Sequence, residues 1–424
     1  MLPLEGYRVL DLSRQMPGPY ATHLLADLGM EVIKVEEPLP RYGMGRDDLM
    51  PSDPTAEEEV VYAAYNAFAR NKKSIALQLL KPEIRPQAQE VFYKLAQKAD
   101  IVVESYRPGV TKWMGVDYDT VKQHNPRIIY CAVTGYGQTG PYVKYAGHGG
   151  HFSAVSGTAS RLRDAEGIPL RPDYTPIGYL AALYAVTGIL SALVLRDRTG
   201  QGQFIDVSLT GADVTQLFMA SASYFRTGQE QRRVEGPRLD YVKCKDGKWV
   251  TISNPETYFW ENFCRVLGHE EWIPLRRGSG PDFERMVEEV KAIFLTKTRD
   301  EWLKTLREAD CCIAPLNELP EALEDPQVLH LGMVWEAQHP SAGKVKQMGV
   351  PIRFSDVSLG IRELAPELGK HTVQVMRELG YSDRQIQEQI PPPSWPGRGT
   401  RGGWLIGPKT WTGQDFIRSC EFWR

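Results

Sequence analysis

The first 140 residues alternate short β-branched runs with segments of helical apolar spacing, and this alternation restricts the fold more than any other feature. The pattern predicts strands over residues 8–13, 31–36, 100–106 and 127–136. Each run is apolar enough to be buried on both faces. Helices are predicted over residues 19–28 and 82–99. The chain is therefore expected to form an α/β fold with a parallel sheet.

Length and composition bound the class of protein. With 424 residues, the chain is long enough for two or three domains. Hydrophobic residues at 42% and charged residues at 24% indicate a folded globular protein and exclude disordered, collagen-like and coiled-coil chains. The net charge of −3 lacks the basic excess of a nucleic-acid binder, so no nucleic-acid partner is expected.

The cysteines and the N-terminus indicate the compartment. The six cysteines form no C-x-x-C pair, which predicts neither a disulfide scaffold nor a zinc site. The first residues show no charged stretch followed by an apolar run, so we expect no signal peptide and a cytoplasmic location.

The stretch from 177 to 195 carries no charge and is just long enough to cross a bilayer. It contains two Gly, two Tyr, a Thr and a Ser, and has no second span to pair with. A helix buried in the core of a large domain or at a subunit interface is the favoured interpretation, and no membrane partner is expected.

The residue pattern changes after a turn-rich break at 196–203 and a predicted strand at 204–209. From about 222 to 340, a strand pair around Asp246 is followed by helical patterns, which predicts a smaller α+β domain. Strands are predicted again over 343–358. The segment from Pro391 onward, rich in Pro, Gly and Trp, is predicted to be an irregular tail.

The motif GYGQTG at 135–140 has the glycine spacing of a dinucleotide-binding loop and follows a predicted strand. The residues after it do not continue as a helix, and the first acidic residue downstream is Asp164, late for a ribose contact. A nicotinamide or flavin site is therefore disfavoured. A glycine loop that lets a ligand approach the backbone stays open.

Two histidines, His148 and His151, lie in a Gly-rich stretch without an Asp, Glu or Cys nearby, so no metal site is predicted. A histidine there suits general acid–base catalysis, and a structural histidine is an equally good interpretation. Basic residues at 70–73 and 107–112 adjoin predicted strand ends. They fit either solvated loops or a site for a phosphate-bearing cofactor.

Several stretches together resemble the class III CoA-transferase family, of the carnitine and bile-acid CoA-transferase type, which also includes α-methylacyl-CoA racemases. They are residues 6–36, 70–79, 100–110, 125–141, 146–157, 187–209 and 319–328. The resemblance implies a Rossmann-like large domain and a smaller α+β domain in a ring-shaped chain that interlocks as a dimer. It places the large CoA-binding domain at 1–205 and 341–424, and the small domain with its linkers at 206–340.

Transferases of this family use an aspartate that attacks the acyl-CoA thioester and later carries CoA as an aspartyl thioester. That aspartate lies shortly before the apolar helix. The matching stretch here has Gly178 and Tyr179 at the expected position, and the nearest carboxylate is Asp173. The resemblance therefore implies a chain without the usual nucleophile.

Two further positions depart from the family pattern, because Glu37 replaces an arginine and Ser105 an asparagine. The remaining matches imply a site for coenzyme A, bound as an acyl-CoA substrate without a metal. The residues implied in CoA binding are Gln15, Met16, Pro17, Arg70, Asn71, Lys72, Leu77, Ser105, Tyr106, Arg107, Gly135, Tyr136 and Gly137.

The racemases of the family suggest a different catalytic set. His148 matches their catalytic histidine and Glu256 a supporting glutamate, for removal of the proton next to the thioester. Where the racemases carry an aspartate directly after this histidine, the chain has Gly149. Their second catalytic aspartate corresponds to the one missing at 178–179. The two-base mechanism is therefore also incomplete.

Three functions stay open at this point. The chain is a CoA-transferase acting on an acyl-CoA, such as succinyl-CoA, and a carboxylic acid; a racemase or epimerase using His148; or a non-catalytic structural subunit. We favour a transferase in which this chain pairs with a homologous chain, as the subunit without the aspartate. Tyr258, Phe259 and Trp260 fit an apolar acyl pocket, but aromatic residues so spaced belong more often to a core.

Overall fold

The computed structural model describes residues 1–37, 67–164, 166–172, 174, 176–230, 239–276, 278–339 and 343–389, with side chains through residue 386. The predicted tail from Pro391 and the carboxylate of Asp173 lie outside the described residues. The chain divides into two compact units. The first comprises Met1–Glu230 with Trp335–Arg424, and the second comprises Gln231–Val334.

A parallel sheet forms the centre of the first unit. Its strands are β1 (Arg8–Asp11), β2 (Glu31–Glu36), β3 (Lys72–Ala76), β4 (Ile101–Glu104), β5 (Ile129–Thr134) and β6 (Phe204–Ser208). All neighbours are parallel, in the order β3-β2-β1-β4-β5-β6. This is the doubly wound Rossmann order. The predicted α/β fold is confirmed.

Helices connect these strands. They are α1 (Pro17–Asp27), α2 (Arg85–Gln97), α3 (Val110–Met114), α4 (Tyr118–His124), α5 (Gly149–Ser156), α6 (Ile177–Thr199), α7 (Leu209–Val214) and α8 (Phe218–Thr227), with 3₁₀ turns at Thr158–Ser160 and Thr215–Leu217. Residues 206–230, expected in the small domain, belong to the first unit. The reason is that β6 pairs with β5, and α7 packs on α5 and α6.

Successive strand residues face opposite sides of the sheet, and each side has its own core. Val9 and Ile101 join one core with α1 and α6, while Leu10 and Val102 join the other with α2. By length and composition, α6 is the one helix in the described ranges that could cross a membrane, and half of that apolar window is buried.

The second unit has an antiparallel sheet of β7 (Tyr241–Lys243), β8 (Trp249–Ile252) and β9 (Ile313–Pro315). Its helices are α9 (Thr257–Leu267), α10 (Pro281–Phe294), α11 (Arg299–Glu308), α12 (Leu319–Glu324) and α13 (Pro326–His330), with a 3₁₀ segment at Glu270–Leu275. A separate core, which includes Phe263, Phe294 and Trp302, holds it together. The strand pair predicted around Asp246 is the β7–β8 hairpin.

The last described elements are β10 (Val334–His339) and β11 (Gly343–Met348), which form a two-stranded sheet, then α14 (Thr372–Glu378) and α15 (Asp383–Gln389). The prediction of strands over all of 343–358 was wrong, since β11 ends at Met348. Pro351 follows closely and has no N–H to donate to a ladder.

Candidate active site

The loops after β1, β4 and β5 leave the sheet at its carboxyl edge. The chain order reverses between the neighbouring strands β1 and β4, and doubly wound sheets bind ligands at that point. Most residues implied in CoA binding follow these strands: Gln15, Met16, Pro17, Ser105, Tyr106, Arg107, Gly135, Tyr136 and Gly137. Leu77 follows β3 at the same edge. The topology thus gathers these positions along one edge.

The loops after β1 and β4 are tied together by Ser105. Its hydroxyl accepts a hydrogen bond from the Arg14 N–H and donates one to the Arg14 carbonyl, both at 2.7 Å. The Arg14 guanidinium lies over the Tyr106 ring, 4.9 Å from its centroid. Gln15 has φ +59°, a conformation uncommon for a residue other than glycine. The serine that replaces the expected asparagine therefore fixes the path of this loop.

The glycine loop after β5 packs closely against α5. A β-carbon at Gly135 would overlap the ring of Phe152, and Gly137 has φ +100°. The Gly135 carbonyl accepts hydrogen bonds from the N–H and the hydroxyl of Thr210, each at 3.0 Å. No helix opens on this loop within residues 135–148, all of which are described. Gly135 is therefore needed for close packing, and Gly137 for its positive φ.

A buried acid lies at the end of β4 beneath these loops. The Glu104 carboxyl accepts the Tyr106 N–H at 2.6 Å and a side-chain N–H of Gln138 at 3.4 Å. Burial, together with nearby Asp206, raises the pKa of Glu104 to about 8. Near neutral pH this side chain is therefore largely a protonated acid. The sequence did not single it out, because its solitary charge at a strand end gave no sign of burial.

Glu37 follows β2, at the position where the family resemblance implies an arginine. One of its carboxyl oxygens accepts the N–H groups of Leu79 and Leu80, at 3.1 and 3.2 Å. Burial raises the pKa of Glu37 to about 7, against the opposing effect of Arg14. The substitution therefore replaces a cation by a group that is only partly charged at neutral pH.

Three residues implied in CoA binding direct their polar side-chain atoms to partners within the protein. Arg70 precedes β3, and its Nη2 lies 2.7 Å from Asp27 Oδ2 in a fully buried ion pair. Asn71 donates to Asp27 Oδ1 at 2.7 Å. Lys72 donates to the Thr22 hydroxyl at 2.7 Å. A contact of these three residues with CoA stays a prediction.

Asp11 ends β1 at the base of the first loop and is fully buried. Its Oδ1 lies 3.2 Å from Lys34 Nζ, and its Oδ2 lies 3.2 Å from Lys72 Nζ. Burial alone would raise the pKa of Asp11, but the two ammonium groups hold that pKa well below its usual range. Burial lowers the pKa of Lys72 to about 8. Both acids under α1, Asp11 and Asp27, are thus compensated by cations.

The expected nucleophile position lies in the first turn of α6. A β-carbon at Gly178 would come within 2.7 Å of Met16 Cε, so this residue faces the loop after β1. Tyr179 is half-buried and presents its ring to Tyr20, with 5.0 Å between centroids and an 83° interplanar angle. Of the two positions, only Tyr179 carries a side chain beyond hydrogen, and it is a phenol.

Further aromatic rings pack around Tyr179 and Tyr20. Tyr174 lies 5.9 Å from Tyr179, and Tyr20 lies 5.9 Å from His23 and 5.4 Å from Phe68, all between centroids. We call these five residues, Tyr20, His23, Phe68, Tyr174 and Tyr179, the aromatic cluster. The sequence predictions missed Tyr20, His23 and Phe68, because aromatic side chains on a helix usually belong to a core.

The histidine and glutamate suggested by the racemases lie in different units. His148 precedes α5 in the first unit and is exposed; its backbone N–H donates to His151 Nδ1 at 3.2 Å. Glu256 precedes α9 in the second unit and is also exposed. Their joint role in proton transfer stays a prediction. In the described part of the chain, no three His, Cys, Asp or Glu side chains are arranged for a metal ion.

Comparison with known proteins decides the family. The sequence model of CoA-transferase family III matches residues 4–372. The chain belongs to CoA-transferase family III. This family III chain is 34% identical over 399 residues to the human succinyl-CoA:glutarate CoA-transferase, covering 92% of this chain and 89% of that protein. The predicted family, and with it the enzyme class of CoA-transferase, is confirmed.

Two other relatives add to this result. The chain is 30% identical to the succinyl-CoA–L-malate CoA-transferase alpha subunit of Chloroflexus aurantiacus, over 89% of each protein. A CAIB/BAIF family protein from Brucella suis has the same fold, with a TM-score of 0.74 and 28% identity over 89% of this chain and 99% of that chain. The Rossmann-like assignment therefore agrees with a crystal structure of the family.

Proposed function

We propose that this chain is the subunit without the nucleophile in a heteromeric CoA-transferase, which moves CoA from an acyl-CoA such as succinyl-CoA to a carboxylic acid. One observation carries the proposal: Gly178 and Tyr179 stand where the resemblance implies the catalytic aspartate, and neither offers a carboxylate. Burial and the neighbouring Tyr174 raise the pKa of Tyr179 above its ordinary value, so the phenol stays protonated at neutral pH. A neutral phenol is a poor nucleophile toward a thioester.

The names of the relatives support the choice of donor and the heteromeric state. Both the human and the Chloroflexus relative are named for succinyl-CoA, and the latter is named as an alpha subunit. On this chain, the exposed Arg107 and the loops after β1 and β5 are the groups proposed to hold the CoA nucleotide and pantetheine.

An exposed apolar helix supports pairing with a homologous chain. Phe218, Met219 and Phe225 on α8 are 75%, 81% and 82% exposed, and none of the residues of this helix is buried. Large apolar side chains grouped on a surface mark protein contacts. The interlocked dimer proposed for this chain would cover them.

The test uses the purified chain alone and the chain mixed with an aspartate-bearing homologue from the same source. Each sample receives succinyl-CoA, an acceptor acid and, in a parallel series, hydroxylamine. We expect the lone chain to bind CoA without transferring it, and the mixture to transfer CoA until hydroxylamine traps its acyl-enzyme. Turnover by the lone chain that hydroxylamine stops would overturn the proposal. A mixture no more active than the homologue alone would also contradict it.

A further inference from the structure

A segment near the end of the described chain covers the edge of the parallel sheet at β3. In the described part of the chain, β3 pairs with β2 alone, so the outer backbone groups of β3 need another partner. Residues 360–386, which we call the C-terminal strap, belong to the first unit and lie along this edge. The strap therefore closes the sheet on this side.

The strap is anchored at both ends. At its start, Asn71 Oδ1 accepts the N–H groups of Arg362 and Glu363, at 2.8 and 3.0 Å. The Asn71 N–H donates in return to the Glu363 carbonyl at 2.9 Å. Near its end, the Tyr381 hydroxyl donates to Glu90 Oε1 of α2 at 3.0 Å. The strap also buries apolar side chains in the core on that side of the sheet: Val375, Met376, Tyr381 and Ile386.

Between these anchors, His371 and its neighbour occupy the outer groups of β3. The Ser74 N–H donates to His371 Nδ1 at 3.0 Å, and the His371 N–H donates to the Ser74 carbonyl at 2.9 Å. The Ala76 N–H donates to the Thr372 hydroxyl at 3.0 Å. The Ser74 hydroxyl donates to Glu36 on β2. For Ser74, His371 thus takes the place of a neighbouring strand, with one hydrogen bond in each direction.

The hydrogen bond from the Ser74 N–H requires a neutral imidazole. A histidine nitrogen accepts through its lone pair, so the proton of the neutral His371 ring lies on Nε2. In the imidazolium both ring nitrogens are donors, and the Ser74 N–H would then face another N–H. Uptake of a proton at Nδ1 therefore removes the acceptor and leaves a backbone donor of the sheet edge unpaired.

Charged groups around His371 also act on its protonation. Lys370 precedes it on the strap, and Lys73 lies on β3 with its Nζ 2.6 Å from Glu31 Oε1. Burial, together with Lys370 and Lys73, lowers the pKa of His371 below its ordinary value of 6.5, against the opposing effect of Glu363. The ring is therefore neutral at physiological pH while the strap is closed.

We infer that closure of β3 by the C-terminal strap depends on pH: the strap stays bound while His371 is neutral, and its middle part detaches from β3 when the imidazole takes up a proton. Detachment changes the support of a strand that reaches the candidate site, since Lys72 Nζ lies 3.2 Å from Asp11 Oδ2 and Leu77 follows β3. The inference concerns the fold of this chain and does not depend on the proposed function.

The experiment follows amide hydrogen exchange of the purified full-length chain by mass spectrometry, from about pH 7.5 to about pH 5, with labelling times scaled for the intrinsic pH dependence of exchange. The closed strap has the lower histidine pKa, so its stability falls as pH drops below 6.5. We expect peptides that contain Ser74 and Thr372 to lose protection by at least about fivefold over this range. Peptides of the internal strand β5 should keep their protection.

His371→Asn is the decisive variant. Asparagine Oδ1 can accept the Ser74 N–H in place of Nδ1 and does not titrate, so protection should persist at both ends of the pH range. His371→Ala offers no acceptor and should lose protection at both ends. His124→Asn is the matched control, because this partly buried histidine stacks on Tyr93, 4.1 Å between centroids, and should leave the native pH dependence unchanged.

Two results would overturn the inference. If His371→Asn loses protection at low pH as strongly as the native protein, another group releases the strap. If native peptides around Ser74 keep their protection at low pH, or lose it only together with those of β5, the strap does not detach by itself. The comparison of the native protein with His371→Asn decides the matter even if His371→Ala fails to fold.

Discussion

Helix α1 contributes to two regions that treat charge in opposite ways. In the first region, Asp27 pairs with Arg70, and Thr22 joins the buried network of Asp11 and Lys72. The second region is the aromatic cluster, to which α1 contributes Tyr20 and His23, and it borders the first where His23 Nε2 lies 3.4 Å from Asp27 Oδ2. The ion-pair region matches its buried acids, Asp11 and Asp27, with bases. The described residues of the aromatic cluster include no acid where the resemblance implies the nucleophile.

The difference shows that stability and catalysis depend on separate groups in this fold. Removing a partner from a buried ion pair leaves an uncompensated charge, so those positions tolerate little change. Tyr179, one of the two positions where the aspartate is expected, is half-buried, contacts rings and holds no charge in place, so a change there should not disturb the sheet. Substitutions in the two regions should therefore have different consequences.

The largest expected effect is a gain of activity from Tyr179→Asp. On the proposed function, a carboxylate in the first turn of α6, at one of the two positions where the nucleophile is expected, should supply it, and the positive end of the helix dipole favours it. We expect CoA transfer by the lone chain to rise at least a hundredfold, or about 3 kcal/mol in activation free energy. Initial rates with succinyl-CoA and a panel of acids measure it.

Tyr179→Asn is the matched control, because it has the same size and no nucleophilic oxygen. Mass spectrometry of the intact variants should show a CoA adduct on Tyr179→Asp alone. If both variants transfer CoA equally well, or neither does, the position does not control catalysis and the contrast between the two regions fails.

The second effect is a loss of stability from Asp27→Asn. The substitution leaves the Arg70 guanidinium buried without a counter-charge, which costs about 3–5 kcal/mol in the free energy of unfolding. Urea denaturation followed by circular dichroism measures this loss. Asp383→Asn breaks an exposed ion pair with Arg377 and should cost less than about 1 kcal/mol. Similar losses for the two variants would mean that burial does not distinguish these ion pairs.

The third effect concerns the glycine loop. Gly135→Ala places a methyl group into the ring of Phe152, and such overpacking destabilises a core by about 1–3 kcal/mol. Gly150→Ala, in α5 with open space around the new methyl, should be neutral or raise stability by up to about 1 kcal/mol. The thermal midpoints of both variants measure the difference, and equal midpoints would show that Phe152 yields to the methyl group.

The sequence was sufficient for five of the six parallel strands and for the loops at their carboxyl ends, whereas the edge strand β3 was not predicted. The β-branched residues Val32, Ile33 and Val35 favour a strand, and β2 was predicted with its observed bounds. The order of strands then follows from a family resemblance and from the handedness of crossovers. The strand pattern alone was enough to place Met16 and Gly137 in the loops after β1 and β5.

Side-chain partners far apart in sequence could not be predicted. In the sequence, the basic run at Arg70 resembles a ligand-binding patch. In the structure, Arg70 forms a buried ion pair with Asp27, which lies 43 positions earlier in the chain. The strand after Gly343 also stopped earlier than its apolar pattern suggested, because a proline follows. The environment of a single acid such as Glu104 includes residues of the loops after β4 and β5, and the sequence around Glu104 gives no sign of it.

The last expected effect, which needs a change of pH to be seen, is an altered pH dependence of stability in Glu104→Gln. The folded-state pKa of about 8 lies above the ordinary value of 4.5, so the native protein retains a proton that the unfolded chain releases between these values. Stability of the native protein therefore falls as pH rises through that window, by up to about 1 kcal/mol per pH unit.

Glutamine cannot titrate, yet its amide oxygen can still accept the Tyr106 N–H. The variant should consequently lose little stability near pH 5 and exceed the native protein near pH 8, in urea titrations at both values. If the stabilities of the two proteins vary with pH in parallel, Glu104 is ionised in the folded protein. The carboxyl edge of the sheet would then compensate its buried acid, as the ion pairs of Asp11 and Asp27 do.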